Sequence, residues 1–319
     1  MEHFSAYKLN FICEATTTIN LPYYNGSTLR GAFFSALRRD FCLNRAQNSC
    51  FQCSAAEVCP ICRLVATVEW KNNRGAEIPR PFVLEPVIGE KTSFEHGETF
   101  SFGITLFGNT LSLFPYLILA IQHMGEIGLG NYRKNPGRFI LREVKAVNPL
   151  SALEQSIYSN DSRTVKVPDL AITHHQVLEF SARLNDEKLC MVIMTPLRMI
   201  IQGTLVQKLT FPIFMQRLLR RLTDLYRFCC NQELVLGFSG LLKKAEEVWV
   251  VQDNTHWVDI SSYSNRRRAR TPTGGLIGEI IFEGSLKAFL PLVVWGMLTH
   301  VGKNATRGNG WYRIADSLS

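Results

Sequence analysis

Apolar and polar positions follow strand and helix periods in the same order in both halves of the chain. An alternating, β-branched stretch over 6–20 predicts a strand or strand pair, and Ser27 begins a pattern with helical spacing. Short strands are expected at 66–70, 80–85 and 99–107, a very apolar helix at 111–124 and a strand at 138–147. Apart from one extra short strand between the helices, this is the order strand, helix, two strands, helix and strand of the ferredoxin-like βαββαβ unit.

The second half repeats this order. A strand is expected at 189–195 and a helix at 211–228, with Arg217, Arg220 and Arg221 off its apolar stripe. Strands at 248–251 and 257–260, separated by a turn, lead to a strand at 276–282, a helix at 286–298 and a closing strand at 310–314. The pattern predicts an N-terminal domain over 1–150, a polar linker over 151–175 and a C-terminal domain over 176–319.

A local match between the halves supports a duplication. Phe107-Gly108 is followed by Pro115, and Glu283-Gly284 is followed by Pro291, with seven positions from glycine to proline in each case. In both copies a glycine-rich loop connects the apolar helix to the last strand. We therefore predict an α+β fold of two tandem ferredoxin-like domains.

Composition adds a prediction about partners. The chain has 319 residues, enough for two domains, and its 46% apolar and 19% charged residues are typical of globular proteins. Its formal net charge of +8 favours an anionic partner such as nucleic acid, although many proteins are mildly basic without such a partner. The longest nearly uncharged apolar stretch, 288–301, is shorter than a spanning helix, and the N-terminus lacks a signal-peptide pattern. We expect a cytoplasmic protein without membrane contact.

Four of the nine cysteines lie in one short loop at 48–64. Two Cys-x-x-Cys pairs can bring four thiolates to one tetrahedral Zn²⁺, and this favours a structural zinc site at Cys50, Cys53, Cys59 and Cys62. The alternatives are two disulfides, an iron–sulfur cluster or unligated thiols. No catalytic metal is expected.

Two basic segments in the second half are candidates for RNA binding. In the loop after the last helix, glycines can bring the backbone close to phosphates beside two cations; its candidate residues are Gly302, Lys303, Arg307, Gly308 and Gly310. Between two predicted strands lie Arg266, Arg267, Arg268 and Arg270, whose guanidinium groups suit phosphates and unpaired bases. The alternative for the glycines is that they only form a tight turn. The alternative for the arginines is that they only form a solvated face.

The seven histidines are dispersed, and none has the spacing of a metalloprotease or a hydrolase site. His300 follows a helix and precedes the glycine-rich loop, so it is the histidine best placed for phosphate chemistry. The alternative is a helix cap without a catalytic role.

An ordered set of motifs resembles the RAMP-superfamily endoribonuclease that trims precursor CRISPR RNA, the sixth CRISPR-associated protein family. The motifs are Leu29–Phe33 ahead of the cysteine loop, Arg80–Pro86, Gly97–Gly108, Met124–Gly130 and His300–Lys303. The resemblance runs from about Leu29 to Ile314 and implies two RAMP, RRM-like ferredoxin domains. It also implies that the partners are CRISPR repeat RNA and other Cas proteins of an effector complex.

The resemblance implies metal-independent cleavage within the repeat. The 2′-OH attacks the neighbouring phosphate and leaves a 2′,3′-cyclic phosphate and a 5′-OH, which requires a base, an acid and a cation. Relatives often carry a histidine near the first helix, whereas this chain has none between His3 and His96. Tyr24 or Tyr23 can take the role of the family's tyrosine. We expect His300 and Tyr24 as the acid/base pair, with Lys303 stabilising charge.

Two other functions fit the same residues. The chain can be a non-catalytic RAMP subunit that holds guide RNA in an effector complex, where the arginines and glycines only bind. It can also be a general RNA-binding module without preference for the repeat. The endoribonuclease should cleave repeat RNA, and the non-catalytic subunit should bind it without cleavage. The general module should bind repeat RNA no better than other RNA.

Overall fold

The computed structural model describes residues 1–45, 50, 53–65, 79–130, 136–264 and 269–315. The chain divides into two compact units. The N-terminal unit comprises Phe4–Ile172 with Phe228–Cys230, and the C-terminal unit comprises Met1–His3, Thr173–Arg227 and the chain from Asn231 onward. Each unit is built around its own antiparallel sheet.

The N-terminal unit has the strand order of a ferredoxin-like domain, extended by β7 at one edge and by the short β8, which pairs with β1. Its sheet runs β3-β5-β1-β6-β7, in which β1, β3, β5 and β6 are the four strands of the βαββαβ unit. The elements, in chain order, are β1 (Ser5–Ala15), β2 (Ile19–Asn20), α1 (Gly26–Phe41), α2 (Pro60–Leu64), β3 (Phe82–Glu85), β4 (Ser93–Phe94), β5 (Thr99–Phe107), α3 (Phe114–Ile127), β6 (Phe139–Asn148), β7 (Leu153–Ser159) and β8 (Ile172–Thr173).

Alternation along β1 explains how this unit forms its core. Leu9, Phe11 and Cys13 are fully buried, while the residues between them are partly exposed. The apolar stripes of α1 and α3 belong to the same core, which includes Leu29, Phe33, Leu37, Leu117, Ile121 and Met124. The two helices therefore pack on the buried face of the sheet, as the helical periods predict.

The C-terminal unit repeats the arrangement. Its sheet runs β12-β15-β9-β16. Counted along the chain, these are the second, third, first and fourth strands of the unit, the same order as β3-β5-β1-β6 in the N-terminal unit. The elements are α4 (His174–Ser181), β9 (Lys188–Leu197), β10 (Ile200–Ile201), β11 (Thr204–Leu205), α5 (Phe211–Cys230), α6 (Phe238–Ala245), β12 (Trp249–Val258), β13 (Ser261–Ser264), β14 (Ala269–Pro272), β15 (Gly275–Glu283), α7 (Leu290–Thr299) and β16 (Tyr312–Ala315). The tandem ferredoxin-like prediction is confirmed.

The local sequence match between the halves corresponds to equivalent positions in the two units. Strands β5 and β15 end immediately before Gly108 and Gly284, both of which have positive φ angles. Helices α3 and α7 then begin one residue before Pro115 and Pro291, so each proline is the second residue of its helix. Proline is tolerated there because the first turn leaves its N–H groups without helical acceptors.

The predicted linker is wrong. Residues 153–159, inside the segment 151–175, form β7, which pairs with β6 at the edge of the N-terminal sheet. The segment is polar enough to indicate a linker because Leu153, Glu154 and Ser156 of β7 are exposed, as an edge strand allows, while Ile157 and Tyr158 are buried. The boundary between the units lies after Ile172 rather than at 150.

The predicted break between 248–251 and 257–260 is also wrong. The structure has one strand, β12, with a register shift between Val250 and Gln252. Its polar centre fits because β12 is an edge strand with mostly exposed side chains. The strand expected at 66–70 lies outside the described residues. Within the part of the chain that the structure describes, no helix is long and apolar enough to cross a membrane.

Candidate nucleic-acid interface

The glycine-rich loop after α7 is held close to neighbouring backbone. At Gly310, where φ is +69°, an added Cβ would lie 1.8 Å from the carbonyl oxygen of Val301. At Gly302, where φ is +87°, it would lie 2.6 Å from the carbonyl oxygen of Arg198. These glycines allow the protein's own chain to pass close by.

Several amides of this loop already have protein acceptors. Gly308 N–H donates to Ala305 O at 2.9 Å, Gly310 N–H donates to Pro196 O at 3.1 Å, and Lys303 N–H donates to Arg198 O at 2.8 Å. The role of Gly308 and Gly310 in binding phosphates stays a prediction that these hydrogen bonds do not favour, since both amides close the loop. The alternative of a tight turn explains these glycines better.

His300 is a packing residue in this arrangement. It follows α7 with φ +55°, its ring is fully buried, and it stacks on Trp311 with centroids 5.9 Å apart. A catalytic acid or base has to reach the reacting oxygen, and an enclosed ring does not reach RNA. The catalytic role of His300 stays a prediction that this packing does not favour.

Tyr24 lies in the N-terminal unit, in the turn before α1. Its ring meets that of Tyr23 edge to face at 4.9 Å, and Tyr23 is 57% exposed. Partial burial, followed by the neighbouring Tyr23, raises the pKa of Tyr24 above its ordinary value. The phenol is therefore protonated at neutral pH and can donate a proton.

A basic surface forms around the glycine-rich loop. Lys303 and Arg270 are exposed, and Arg307 donates from Nη1 to Ser262 Oγ at 3.0 Å. The guanidinium of Arg198 lies 5.8 Å from the centroid of the half-buried Trp257 ring. We call Arg198, Trp257, Arg270, Lys303 and Arg307 the basic loop surface. Arg266, Arg267 and Arg268, predicted to bind RNA, lie outside the described residues.

Hydrogen bonds join the parts of this surface. Arg198 donates from Nη1 to Gly274 O at 3.1 Å and accepts the Lys303 amide, so it connects the start of β15 to the loop after α7. Asn309, in that loop, donates from Nδ2 to Thr273 O at 2.8 Å, immediately after β14. The loop and the hairpin β13-β14, which carries Arg270, therefore form one continuous region of the C-terminal unit.

The arginines of α5 have structural roles. Arg221 donates from Nε and Nη2 to Thr299 O, at 3.3 and 3.2 Å, and Arg217 donates to Ile200 O. Arg220 is exposed, and its Nε lies 4.0 Å from Asp224 Oδ2. The guanidinium groups of Arg217 and Arg221 therefore satisfy carbonyl groups at the ends of other elements.

Sequence reasoning missed a histidine–carboxylate pair in the N-terminal unit. His123 Nδ1 on α3 lies 2.5 Å from Asp40 Oδ2 on α1, and the histidine side chain is 37% exposed. A carboxylate that holds one ring nitrogen leaves the other for proton transfer. The residues are 83 positions apart, so only the packing of α1 against α3 reveals the pair.

The cysteine loop packs into the N-terminal core. Cys59 and Cys62 are buried at the start of α2, and Cys50 and Cys53 are half-buried against the same core. Hydrogen bonding with the Cys50 thiol, followed by burial, raises the pKa of the Cys62 thiol well above its ordinary range. None of these four cysteines forms a disulfide. Across the described residues, no three histidine, cysteine or acidic side chains are already arranged to hold a metal ion.

Two family models match the chain, one in each unit. Residues 4–170 match AF_1859_N, an N-terminal domain. Residues 191–312 match the CRISPR-associated endoribonuclease Cas6. No curated protein matches the chain.

Three solved structures share the fold at low identity. The Thermus thermophilus Cas6 (TTHB231) product complex aligns at a TM-score of 0.57 and 14% identity, over 97% of this chain and 100% of that one. A Cas6 (TTHA0078) product complex aligns at 0.53 and 15%, over 98% and 99%. A partial Cas6-RT-Cas1–Cas2 complex aligns at 0.60 and 14%, over all of this chain and 47% of that one.

Proposed function

This chain belongs to the Cas6-like family of RAMP-superfamily CRISPR endoribonucleases, and from this premise we propose that it cuts CRISPR precursor RNA within the repeat. The observation that carries the proposal is the match of residues 191–312 to the CRISPR-associated endoribonuclease Cas6. This segment contains most of β9, all of the basic loop surface and the first residue of β16, and therefore the candidate RNA-binding residues of the C-terminal unit.

The RNA lies on the basic loop surface in this proposal. Lys303 and Arg270 are exposed cations that can neutralise phosphates, and Arg198 beside Trp257 offers a cation and an aromatic ring for an unpaired base. The glycines contribute by fixing the loop that presents Lys303, since their close backbone contacts leave no space for a side chain.

The reaction requires no metal. The 2′-OH oxygen forms a bond to the adjacent phosphorus while the bond to the 5′ oxygen of the next nucleotide breaks. The base takes the 2′-OH proton and the acid supplies a proton to the leaving oxygen. For proton transfer, His123 of the His123–Asp40 pair in the N-terminal unit replaces the buried His300 as our first candidate. Tyr24 precedes the first turn of α1 and Asp40 lies in the last turn, about 20 Å away along the helix, so Tyr24 is a separate candidate that does not act on the same phosphate as His123.

A second candidate function is guide-RNA binding without cleavage. It is favoured by the burial of His300, the histidine beside the RNA-binding loop, which leaves that loop of the C-terminal unit without an accessible imidazole. Other Cas proteins are proposed partners in either case, because a Cas6 segment occurs within the Cas6-RT-Cas1–Cas2 complex that the chain resembles.

The experiment compares cleavage and binding with cognate repeat RNA and a shuffled RNA of equal length, both in EDTA. Cleavage of the repeat RNA alone supports the first function. Tight, selective binding with intact RNA supports the second, and equal binding of both RNAs contradicts both.

Variants then test the acid/base assignment. Acid or base catalysis contributes about 10²–10⁴-fold, so His123→Ala is expected to slow single-turnover cleavage by that factor with little change in RNA affinity. His175→Ala is the matched control, because His175 is also a histidine beside a carboxylate. It is exposed, and its Nδ1 lies 3.6 Å from Glu179 Oε2. An unchanged cleavage rate in His123→Ala would rule out the His123–Asp40 pair.

A further inference from the structure

An acidic side chain lies among the residues of the basic loop surface. Asp259 is exposed and follows β12, between Trp257 and Ser262 in the chain. Trp257 lies beside the guanidinium of Arg198, and Ser262 accepts a hydrogen bond from Arg307. A carboxylate between two arginines repels phosphates, so it weakens a surface that binds only the RNA backbone. It suits a surface that also reads a base.

The indole of Trp257 holds this carboxylate in place. Trp257 Nε1 donates to Asp259 Oδ1 at 2.8 Å, which fixes the carboxylate at the edge of the half-buried ring. A carboxylate has about four acceptor sites on its two oxygens, and this bond uses one of them. A base that stacks on the exposed part of the indole therefore brings its own edge close to the remaining acceptor sites.

The backbone at Gly274 keeps the cation and the carboxylate close to the same ring. Arg198 donates from Nη1 to Gly274 O at 3.1 Å, and a Cβ added to Gly274 would lie 3.2 Å from Asp259 Cα. Gly274 therefore contacts the Arg198 guanidinium and the backbone of Asp259 at once. These contacts order the ring, the carboxylate and the cation before RNA binds, which reduces the entropy lost on binding.

We propose that Trp257 and Asp259 select an unpaired guanine of the RNA. The base stacks on the Trp257 ring, and the Asp259 carboxylate accepts hydrogen bonds from the Watson–Crick edge of the base. Arg198 adds a cation beside the stacked rings. The inference rests on the proposed function only in taking RNA as the ligand of this surface, and it adds the base that the surface prefers.

The donors and acceptors of the four bases explain this choice. Guanine presents two adjacent donors on its Watson–Crick edge, N1–H and the N2 amino group, and a carboxylate accepts from both. Adenine and cytosine present one amino group next to a ring nitrogen that is an acceptor. Uracil presents one N–H between two carbonyl oxygens. Each of these three bases therefore turns at least one acceptor toward the carboxylate, and this costs affinity.

Binding of short oligonucleotides that cannot be cut tests the inference apart from cleavage. The probes are 2′-fluoro oligouridines, which lack the attacking 2′-OH, with guanosine, inosine or adenosine at one central position. In EDTA, fluorescence anisotropy with the full-length protein should show that the guanosine probe binds about 5–150-fold more tightly than the adenosine probe, the discrimination given by one bidentate pair. Inosine keeps N1–H but lacks the amino group, so its affinity should lie between the two.

An isosteric variant should change the preferred base. The amide of Asp259→Asn presents one acceptor and one donor, which fits adenine, so this variant should lose the guanosine preference and favour the adenosine probe. Asp253→Asn is the matched control, because it makes the same change of charge at an exposed aspartate of β12. Asp253 Oδ1 accepts from Thr255 Oγ1 at 2.6 Å, and its variant should keep the guanosine preference.

The three probes are compared on the unmodified protein, so the test also covers the case in which Asp259→Asn does not fold. Equal affinities for the guanosine, inosine and adenosine probes would overturn the inference. A guanosine preference that survives Asp259→Asn would overturn it as well. Repeat RNA that is cut while the probes bind equally would leave the proposed function standing, whereas a guanosine preference without cleavage would contradict cleavage and support this inference.

Discussion

Gly310→Ala should destabilise the C-terminal unit strongly. Two terms add in this position. Alanine in the left-handed region, at φ +69°, costs about 1–2 kcal/mol, and forcing a methyl group into filled space costs about 1–3 kcal/mol more. The methyl carbon would lie 1.8 Å from Val301 O, and the loop has little room to move because Val301 N–H donates to Gly310 O at 3.1 Å. We expect a loss of about 2–5 kcal/mol.

Gly203→Ala is the control that separates the two terms. Gly203 has φ +83°, but an added Cβ there would meet no atom within 4 Å, so only the backbone term of about 1–2 kcal/mol remains. Each kcal/mol lowers Tm by about 2–4 °C for a unit of this size. Gly203→Ala should therefore lower Tm by about 4 °C and Gly310→Ala by about 10 °C.

Tryptophan fluorescence is the assay for both variants. Four of the five tryptophans lie in the C-terminal unit, so thermal or urea unfolding followed by fluorescence reports on this unit; they are Trp249, Trp257, Trp295 and Trp311. Equal Tm values for the two alanine variants would refute the close contact at Gly310. The glycine would then be required for its φ angle alone.

Three further predictions concern the C-terminal unit. Arg221→Met should cost about 1–3 kcal/mol, because it leaves Thr299 O without its guanidinium donor, and urea unfolding should show no such loss for Arg220→Met. Burial lowers the pKa of His174, so the unfolded chain binds a proton more readily and stability should fall as pH drops below about 6.5; this pH dependence should be shallower in His174→Gln. Lys303→Gln should weaken RNA binding and reduce the slope of log K against log salt by about 1, and an unchanged slope would place phosphates elsewhere.

The fold was predictable because it rests on repeated apolar periods. The stripes of α1 and α3 and the match between Gly108–Pro115 and Gly284–Pro291 are local signals, and they identify both ferredoxin-like units. Edge strands were harder to predict. Strand β12 exposes most of its side chains and β7 exposes three of its seven, so their polar residues resemble a turn and a linker.

The site was less predictable because its chemistry depends on packing. The order of residues shows that His300 precedes a glycine-rich loop, but not that its ring is enclosed against Trp311. Gly310 indicated a phosphate loop, whereas its N–H bonds to Pro196 O. The His123–Asp40 pair has no local sequence signal, because α1 and α3 are far apart in the chain and meet only in the folded unit.

The 5′ product of the reaction shows whether the RNA's own 2′-OH cuts the repeat. The protein is incubated with repeat RNA in EDTA, with zinc content measured before and after, and the fragment is identified by mass. We expect a 2′,3′-cyclic phosphate on this fragment and no cleavage when the nucleotide before the cut carries a 2′-deoxy sugar. A fragment ending in a 3′-OH, or cleavage of the 2′-deoxy RNA, would rule out attack by the 2′-OH.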